Sequence, residues 1–553
     1  MLKVLLVYPN TSDVALDNLG FQRVYALLNS IEDVECDRYS LPLGWVPETQ
    51  SLNKDALVSH ELGRPVSDFD VLAFSVSFEP DYLHVATILK YFGLPLRREE
   101  RGADAPLVIA GGSAIFINPE PLAECMDAFL VGEAENLAET FFAELKAAQG
   151  ISLKEILPKT ASIPGVYIPA LYRPIYNDFE FSGFEVDDGA PKRVARYWTP
   201  KQEDLCSHSV VHDGASTFNG MALLEATRGC IWACRFCTAG FIYRPPREPD
   251  LQRTYDSLEA SLAKSGVETQ TVGLIGPSVT DHPDLMGLAK RITDAGKTLS
   301  FSSLRMETLT DELVDLILQS GQKTLTVAVD GPSERMRDVI NKAATDDFIV
   351  EKCRFLTQKG LLHLKIYSII GLPGETDEDL DQFIALVERI MAAYVDEARK
   401  KKKIGQVTVS LSPLVPKPGT PFQWHPMEHA ASLKKKFMRL RKVFSRLPHL
   451  KLSFGSPNEA YLQTSLSRGD RRLTDFFLEY LDNGHNEKEA LKRYRPLADH
   501  FAYRQFEAND ALCWDIVDHG YRNSFLWEDY QRGLKAARTP VCDTAVCKIC
   551  GIC

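Results

Sequence analysis

Three cysteines spaced as Cys230-x3-Cys234-x2-Cys237 follow a short apolar run, Met221–Gly229. Three thiolates on one short loop can hold three irons of a cubane 4Fe–4S cluster, a group that ordinarily takes four cysteines. The fourth iron then lacks a protein ligand. An open iron can chelate the amino and carboxylate groups of S-adenosylmethionine (SAM) and hand it one electron. That breaks a C–S bond and releases a 5′-deoxyadenosyl radical. On spacing alone, the same trio also fits a zinc site or three buried core cysteines.

A second group, Cys542-x4-Cys547-x2-Cys550-x2-Cys553, ends on the last residue of the sequence. Four thiolates so close together make a closed metal site, either zinc or a full 4Fe–4S cluster. Cys36, Cys125, Cys206, Cys353 and Cys513 are scattered and read as buried small hydrophobes.

The elements that must position these groups need a large chain. At 553 residues the sequence is too long for one core and implies about three domains. Its 45% hydrophobic and 25% charged content is that of a soluble globular protein. The N-terminal MLKVLLVYPNTSD has too short an apolar run for a signal peptide, and no stretch approaches a membrane span. The expectation is therefore a cytoplasmic protein with no membrane partner, whose cysteines stay reduced and serve metals. A net charge of −12 argues against a nucleic-acid coat. Two basic segments, Arg399–Lys403 and Lys434–Lys436 with Arg439, Arg441, Lys442 and Arg446, read as solvated helix faces before an RNA-binding surface.

Residues 1–150 alternate buried strands (KVLLVYP, DVLAFSV, PLVIAGG, DAFLVG) with helical patterns at Leu19–Asn29, Asp81–Phe92 and Ala134–Ala148. Such alternation predicts an α/β domain with a doubly wound, flavodoxin-like parallel sheet, in which ligands bind beyond the carboxyl ends of the strands. Gly111 and Gly112 follow one strand end, where they would let backbone approach a ligand or simply form a turn. Residues 151–215 read as an irregular connection. From 216 to 430 a second series begins, with six strands (MALLEATRG, QTVGLIG, KTLSFSSLR, KTLTVAVDG, HLKIYSIIG, GQVTVSLSPL) separated by helices at Leu285–Ala295, Asp311–Gln319, Phe348–Gln358 and Glu378–Ala398. Six repeats in one direction can curl into a partial (β/α)6 barrel whose active groups gather at the strand ends. Residues 431–536 read as a helical C-terminal domain and 537–553 as a cysteine-rich metal-binding tail.

Each barrel strand end offers a contact for SAM. Phe236, between two cluster cysteines, could meet adenine. Ser278 ends the second strand, where the amino group needs acceptors. Ser302, Ser303 and Arg305 end the third, and a guanidinium suits bidentate recognition of the carboxylate. Asp330 ends the fourth and could accept from a ribose hydroxyl or the amino group. Gly371 ends the fifth, where glycine permits close approach to adenine, while Glu375 could cap the next helix. Taken singly, each of these polar residues also fits a helix cap or a structural ion pair.

At these residues the chain resembles the radical SAM superfamily. RGCIWACRFCTAGFIYRPPR is similar to its cluster motif, and SSLRMETL, DGPSERMRDVINK and IIGLPGETDED resemble strand-end motifs of its methylthiotransferase-like and cobalamin-dependent branches. The N-terminal domain, with YPN, DNLGFQRVYALLN, Gly111-Gly112 and Gly132-Glu133-Ala134-Glu135, is similar to cobalamin-binding domains fused to such enzymes. LVPKPGTPFQW, SRGDRRL and CKICGIC resemble a subfamily with this domain order. The resemblance implies a central radical SAM barrel that binds SAM at a 4Fe–4S cluster, an electron donor such as flavodoxin or ferredoxin, and cobalamin-dependent methylation of an unactivated carbon. RNA or protein is a candidate substrate, and a small metabolite is equally allowed. Two alternatives stand beside it: methylthiotransferase-like sulfur insertion into RNA or protein, and a non-catalytic iron–sulfur electron carrier or nucleic-acid scaffold. One departure is clear. Cobalt-ligating domains often carry Asp-x-His-x-x-Gly after the first strand, and NTSDVALDNLG has no histidine. Methylthiotransferases place three cluster cysteines in this domain, which here has only Cys36 and Cys125.

Overall fold

The computed structural model describes residues 1–47, 52, 57–147, 151–212, 216–217, 220–301, 304–522 and 524–552. Contacts divide the chain into two compact units. One comprises Met1–Gly220, Ser257–Val267 and Leu462–Gly520; the other comprises Met221–Asp256, Glu268–Tyr461 and Tyr521–Cys553. The stretch expected as one helical domain, 431–536, is thus divided between the two.

In the first unit, β1 (Leu2–Thr11), β2 (Val34–Leu41), β3 (Val71–Ser75), β4 (Leu107–Gly111), β5 (Ala128–Leu130) and β6 (Val166–Tyr167) form one sheet in the order β2-β1-β3-β4-β5-β6. All pairs are parallel except β5 with β6. The order 2-1-3-4-5 is the flavodoxin-like one, with its switch point between β1 and β3. The four expected strands are present. β2 was not foreseen because VECDRYSL interrupts its apolar residues with charge.

Side chains alternate across this sheet, as a period of two requires. Val4, Leu6, Val71, Ala73, Leu107 and Ile109 join one core, where Phe21 and Leu28 of the helix Leu19–Leu28 and Phe141, Phe142 and Leu145 of the helix Leu137–Lys146 cover them. Leu5, Val7, Leu72, Phe74, Val108 and Ala110 join the other. There the helix Tyr82–Tyr91 is joined by Leu462, Leu466, Phe476, Phe477, Tyr480 and Phe501 from the distant C-terminal segment. A parallel sheet must be covered on both faces, and this far-off stretch completes the second cover. Its arginines are built in. Arg471 donates to both carboxylate oxygens of the fully buried Glu120 at 2.9 Å and to the Tyr167 hydroxyl at 3.0 Å. The irregular connection contains a hairpin, β7 (Tyr172–Asn177) with β8 (Glu180–Val186), and a short β9 (Val194–Ala195) paired with Val517–Asp518.

In the second unit, β10 (Ala222–Glu225), β11 (Thr271–Ile275) and β12 (Thr298–Phe301) form one parallel sheet. β13 (Thr324–Asp330), β14 (His363–Ile370), β15 (Gln406–Pro413) and β16 (Leu450–Phe454) form another. The six expected strands are all present, and β16 adds a seventh in the same direction. Helices between them start where hydroxyl side chains cap them: Thr310, Ser333, Thr345 and Thr376 each accept a backbone N–H of the following turn. Thr376 and Asp379 form a reciprocal capping box, so Thr376 caps this helix and Glu375 does not. No helix among the described residues is long and apolar enough to cross a membrane.

Breaking a buried ion pair strands the remaining charge, which costs about 3–5 kcal/mol. Glu120→Gln and Arg471→Met should each destabilise the first unit by about that amount. Hydrogen exchange of the Leu107–Gly111 amides reads the loss, and an unchanged exchange rate would show the pair to be unimportant.

Candidate iron–sulfur and cofactor site

The cysteine turn follows β10 and is braced from several sides. Gly276, at the end of β11, has φ +156°, and a Cβ there would lie 2.3 Å from Thr227 Oγ1 and 2.8 Å from the Thr227 carbonyl. Glycine thereby lets the two strand ends meet. Ser278 is buried beside them and its N–H donates to Thr227 Oγ1 at 3.4 Å. Asp281, in the next turn, accepts from Trp232 Nε1 at 2.8 Å. Burial raises the Asp281 carboxyl, and the Trp232 bond and the nearby Arg305 oppose that rise.

Cys230 is buried, and Cys234 and Cys237 are half-buried; no described cysteine is in a disulfide. Burial pushes the Cys230 thiol up to about 11 and the Cys234 thiol to about 12, and it raises Cys237 as well. Metal binding removes these protons, because the thiolate is the ligand. The charges that act on the sulfurs come from two expected strand ends, from Lys342 and from Asp281. Arg305 acts on Cys230 and Cys234, while Lys342 and Asp330 act on Cys234 and Cys237. The structure thus brings Arg305 and Asp330 to the cysteine turn.

Arg305 lies over the Trp232 ring at 3.7 Å and pairs with Glu307 at 3.0 Å. Its Nε is buried and makes no hydrogen bond among the described residues. Asp330 sits at φ +60°, an uncommon conformation for a side-chain-bearing residue, and its carboxylate pairs with Lys342. Phe236 is half-buried between its two cysteines. Gly371, φ +85°, is held by Glu375, whose Oε2 accepts the Gly371 N–H at 3.0 Å and the Leu372 N–H at 3.4 Å. Glu375 pairs in turn with Lys436 at 2.7 Å. Ser302, Ser303 and Cys553 lie outside the described residues.

The donor set fits an iron–sulfur cluster. Three thiols sit on one turn, two cations act on them, and the buried Arg305 Nε–H lacks, among the described residues, an acceptor that a ligand carboxylate would supply. Among the described residues, no three His, Cys, Asp or Glu side chains converge as a single ion requires. A cubane gives each cysteine its own iron and needs no such convergence.

Sequence reasoning missed the residues that hold this turn. Arg235, between Cys234 and Cys237, is fully buried. It donates to the carbonyls of Asp338 (3.0 Å), Val339 (2.8 Å) and Ala537 (2.7 Å), and to Asp529 and Thr539 at 3.1 Å each. Asn341 Nδ2 donates to the Ala233 carbonyl at 3.1 Å. A charged residue inside the motif was the available signal, but its partners lie some 100 and 300 positions away.

In the first unit, Gly111 ends β4 and Gly112 follows it. Gly112 has φ +107°, and a Cβ there would lie 2.4 Å from the Val76 carbonyl. The close approach this glycine permits is to backbone. A polar lip that the sequence reading overlooked stands beside the β1/β3 switch point. Asn18 donates to Tyr8 OH and Ser77 Oγ at 3.2 Å, Asn10 to Asp81 at 2.8 Å, and Ser113 to the Ser77 carbonyl at 3.1 Å. His84 Nδ1 bonds the Pro9 carbonyl at 2.9 Å, and His60 Nε2 bonds Ser40 Oγ at 2.8 Å.

The basic helix Ala430–Phe444 is neutralised in part. Lys436 pairs with Glu375 and Glu428, Arg439 with Asp377 and Asp381, and Arg441 lies over Phe454.

Residues 20–169 match the family profile described as radical SAM proteins, N-terminal, and residues 224–387 match that of the radical SAM superfamily. The uncharacterised protein MJ0966 of Methanocaldococcus jannaschii is 30% identical over 435 residues, covering 78% of this chain and 85% of that protein. The tRNA-2-methylthio-N(6)-dimethylallyladenosine synthase of Hahella chejuensis is 26% identical over 193 residues, 32% of this chain and 41% of that one. Among solved structures, the radical SAM methyltransferase TsrM from Kitasatospora setae, with tryptophan and a SAM analogue bound, is similar with a TM-score of 0.48 at 17% identity, covering 76% of this chain and 75% of that chain.

Arg235→Leu removes the donors that tie the cysteine turn to the segments 338–339 and 529–539. Iron retained after anaerobic reconstitution should fall several-fold relative to the parent protein. Full retention would show that the turn holds its shape without this residue.

Proposed function

The chain belongs to the radical SAM superfamily, and from that premise we propose that Cys230, Cys234 and Cys237 hold the 4Fe–4S cluster at which SAM is cleaved, and that the first unit carries cobalamin for methylation of an unactivated carbon. When bound, a cluster with one iron free of protein ligands passes an electron to SAM, yielding methionine and a 5′-deoxyadenosyl radical. The electron comes from a one-electron donor such as flavodoxin or ferredoxin.

The observation that carries the SAM reading is the Arg305 guanidinium at the cysteine turn, with a buried N–H that has no acceptor among the described residues. Arg305 takes the SAM carboxylate, and the flat Trp232 ring beneath it fixes its orientation. Ser278 takes the amino group from the end of β11. Asp330, held by Lys342, accepts from a ribose hydroxyl. Phe236 and the Gly371 turn, which Glu375 holds in shape, receive the adenine.

The first unit supports cobalamin through its strand order and the polar lip of Asn10, Asn18, Ser77 and Ser113 at the switch point, where sheets of this type bind ligands. The cofactor binds there without a histidine from the segment after β1, which has none. Methyl transfer is the chemistry it supplies. A second reading, methylthiotransferase-like sulfur insertion into RNA or protein, is favoured by the sequence likeness to tRNA methylthio synthases and to the ribosomal protein uS12 methylthiotransferase of Clostridioides difficile.

Anaerobic reconstituted protein, incubated with SAM and dithionite, should release 5′-deoxyadenosine. Cys234→Ser should abolish the release, and Arg305→Ala should weaken SAM binding about tenfold, roughly 1.4 kcal/mol. Absence of both 5′-deoxyadenosine and S-adenosylhomocysteine with every candidate substrate would overturn the SAM reading. Bound cobalt separates the cobalamin reading from sulfur insertion, which predicts labelled sulfide in product and no cobalt.

A further inference from the structure

Two stretches near the end of the sequence lie directly on the cysteine turn. Gly533, in the last turn of the helix Phe525–Leu534, rests on Arg235, since a Cβ there would lie 2.9 Å from Arg235 Cδ. Further on, the Cys542 N–H donates to the Ile231 carbonyl at 2.8 Å, and Cys550 packs with Ala233 and Phe241 in one small core. Residues 539–552 form neither helix nor strand, so one run of chain covers the turn there. The residues between these contacts decide what the cover shows to solvent.

They are of two kinds. Leu534, Val541 and Val546 are exposed, at 44, 42 and 73%. Arg532, Lys535 and Lys548 are exposed too. The acids nearest them are already engaged, Glu528 with Arg522 and Asp338 with Arg538. From Arg532 to Lys548 the sequence has four cations and one acid, Asp543, in a chain of net charge −12. Exposed apolar groups rimmed by charge mark an interaction surface. Rim charge sets encounter rate and partner choice more than affinity.

The charge calls for an acidic partner, and the place calls for one with business at the cysteine turn. A one-electron carrier protein meets both conditions. Redox encounters need only brief contact and use small interfaces. A nucleic-acid backbone would match the cations but not the three apolar side chains.

We propose that the exposed side of Arg532–Lys548 is the docking surface for an acidic protein that delivers one electron to the cysteine turn. Leu534, Val541 and Val546 make the contact, and Arg532, Lys535 and Lys548 steer the approach. One electron leaves the donor's reduced centre and reduces the cluster by one; no bond forms or breaks. The docking surface rests on the reading that Cys230, Cys234 and Cys237 hold a redox cluster, and it adds the place where the electron enters.

Full-length protein, reconstituted anaerobically with iron and sulfide, is mixed with flavodoxin, an acidic flavoprotein, held reduced by NADPH and its reductase. The rate at which the cluster absorbance bleaches reads electron delivery without SAM. Lys535→Glu with Lys548→Glu should slow bleaching about tenfold at low salt, and added salt should narrow the difference. Val546→Asp should slow it as well. Dithionite, a small reductant that needs no docking surface, should bleach every variant at the parent's rate. Lys401→Glu with Lys402→Glu makes the same charge change at exposed positions elsewhere and should leave both rates unchanged. Carbodiimide, which joins carboxylates to amines in contact, should couple flavodoxin to Lys535 or Lys548. Equal flavodoxin rates for the tail and control variants, no cross-link at either lysine, or a parent protein that flavodoxin does not reduce would overturn the docking surface. A parent that dithionite also fails to bleach would instead overturn the cluster reading, so the two failures are told apart.

Discussion

A buried guanidinium must find acceptors for its donors, and Arg235 is buried in the middle of the cysteine motif. That constraint organises the second unit. The acceptors are main-chain carbonyls at 338–339 and 537 with Asp529 and Thr539, so the turn can reach its folded shape only when both segments are in place. Gly533 is part of the arrangement, since a Cβ there would lie 2.9 Å from Arg235 Cδ. A charged side chain costs several kcal/mol to bury unless it is fully paired. Five acceptors for the two terminal nitrogens of Arg235 offset that cost, although its buried Nε has no partner among the described residues, and they hold the turn in a fixed shape.

The first unit meets a different constraint by a similar route. Its sheet is apolar on both faces, and residues 1–150 alone leave one face incompletely covered. Helices between 462 and 503 complete it, and their polar residues are tied in by the Arg471–Glu120–Tyr167 network. Ser467 and Gln463 reach Glu79, and Asn118 reaches the carbonyls of Ser467 and Gly469. The arginine-rich SRGDRRL stretch therefore serves burial: Arg468 and Arg471 are almost wholly inside. Charge run in sequence and charge exposed to a partner are different properties.

The strand series of both units was legible because buried parallel strands are short, apolar and separated by amphipathic helices, and the seven helical stretches singled out lie within three residues of those found. β2 and β16 escaped because DRYS and KLSF carry polar residues that pairing with a neighbour, rather than apolar pattern, commits to strand. Gly371 was read as a place where backbone approaches a ligand, and its turn is in fact held by Glu375, a residue assigned to the next helix. At Gly112 the plainer reading accounts for the glycine, since the approach is to Val76.

The sequence by itself determined the chemistry available: three thiolates on one turn, a guanidinium and a carboxylate at later strand ends, and four more thiolates at the end of the chain. Spacing along a chain fixes which ligands can share a loop, because a loop spans only a few ångströms per residue. Tertiary structure decided which distant groups meet. It set Arg305 on Trp232, gave Asp330 to Lys342, neutralised Lys436 with the loop acids Glu375 and Glu428 and Arg439 with Asp377 and Asp381 of a neighbouring helix, and laid the cysteine tail against the first cysteine turn. Those pairings join residues from 8 positions apart, at Lys436 and Glu428, to about 300, at the tail, and they depend on burial and desolvation that no spacing pattern encodes.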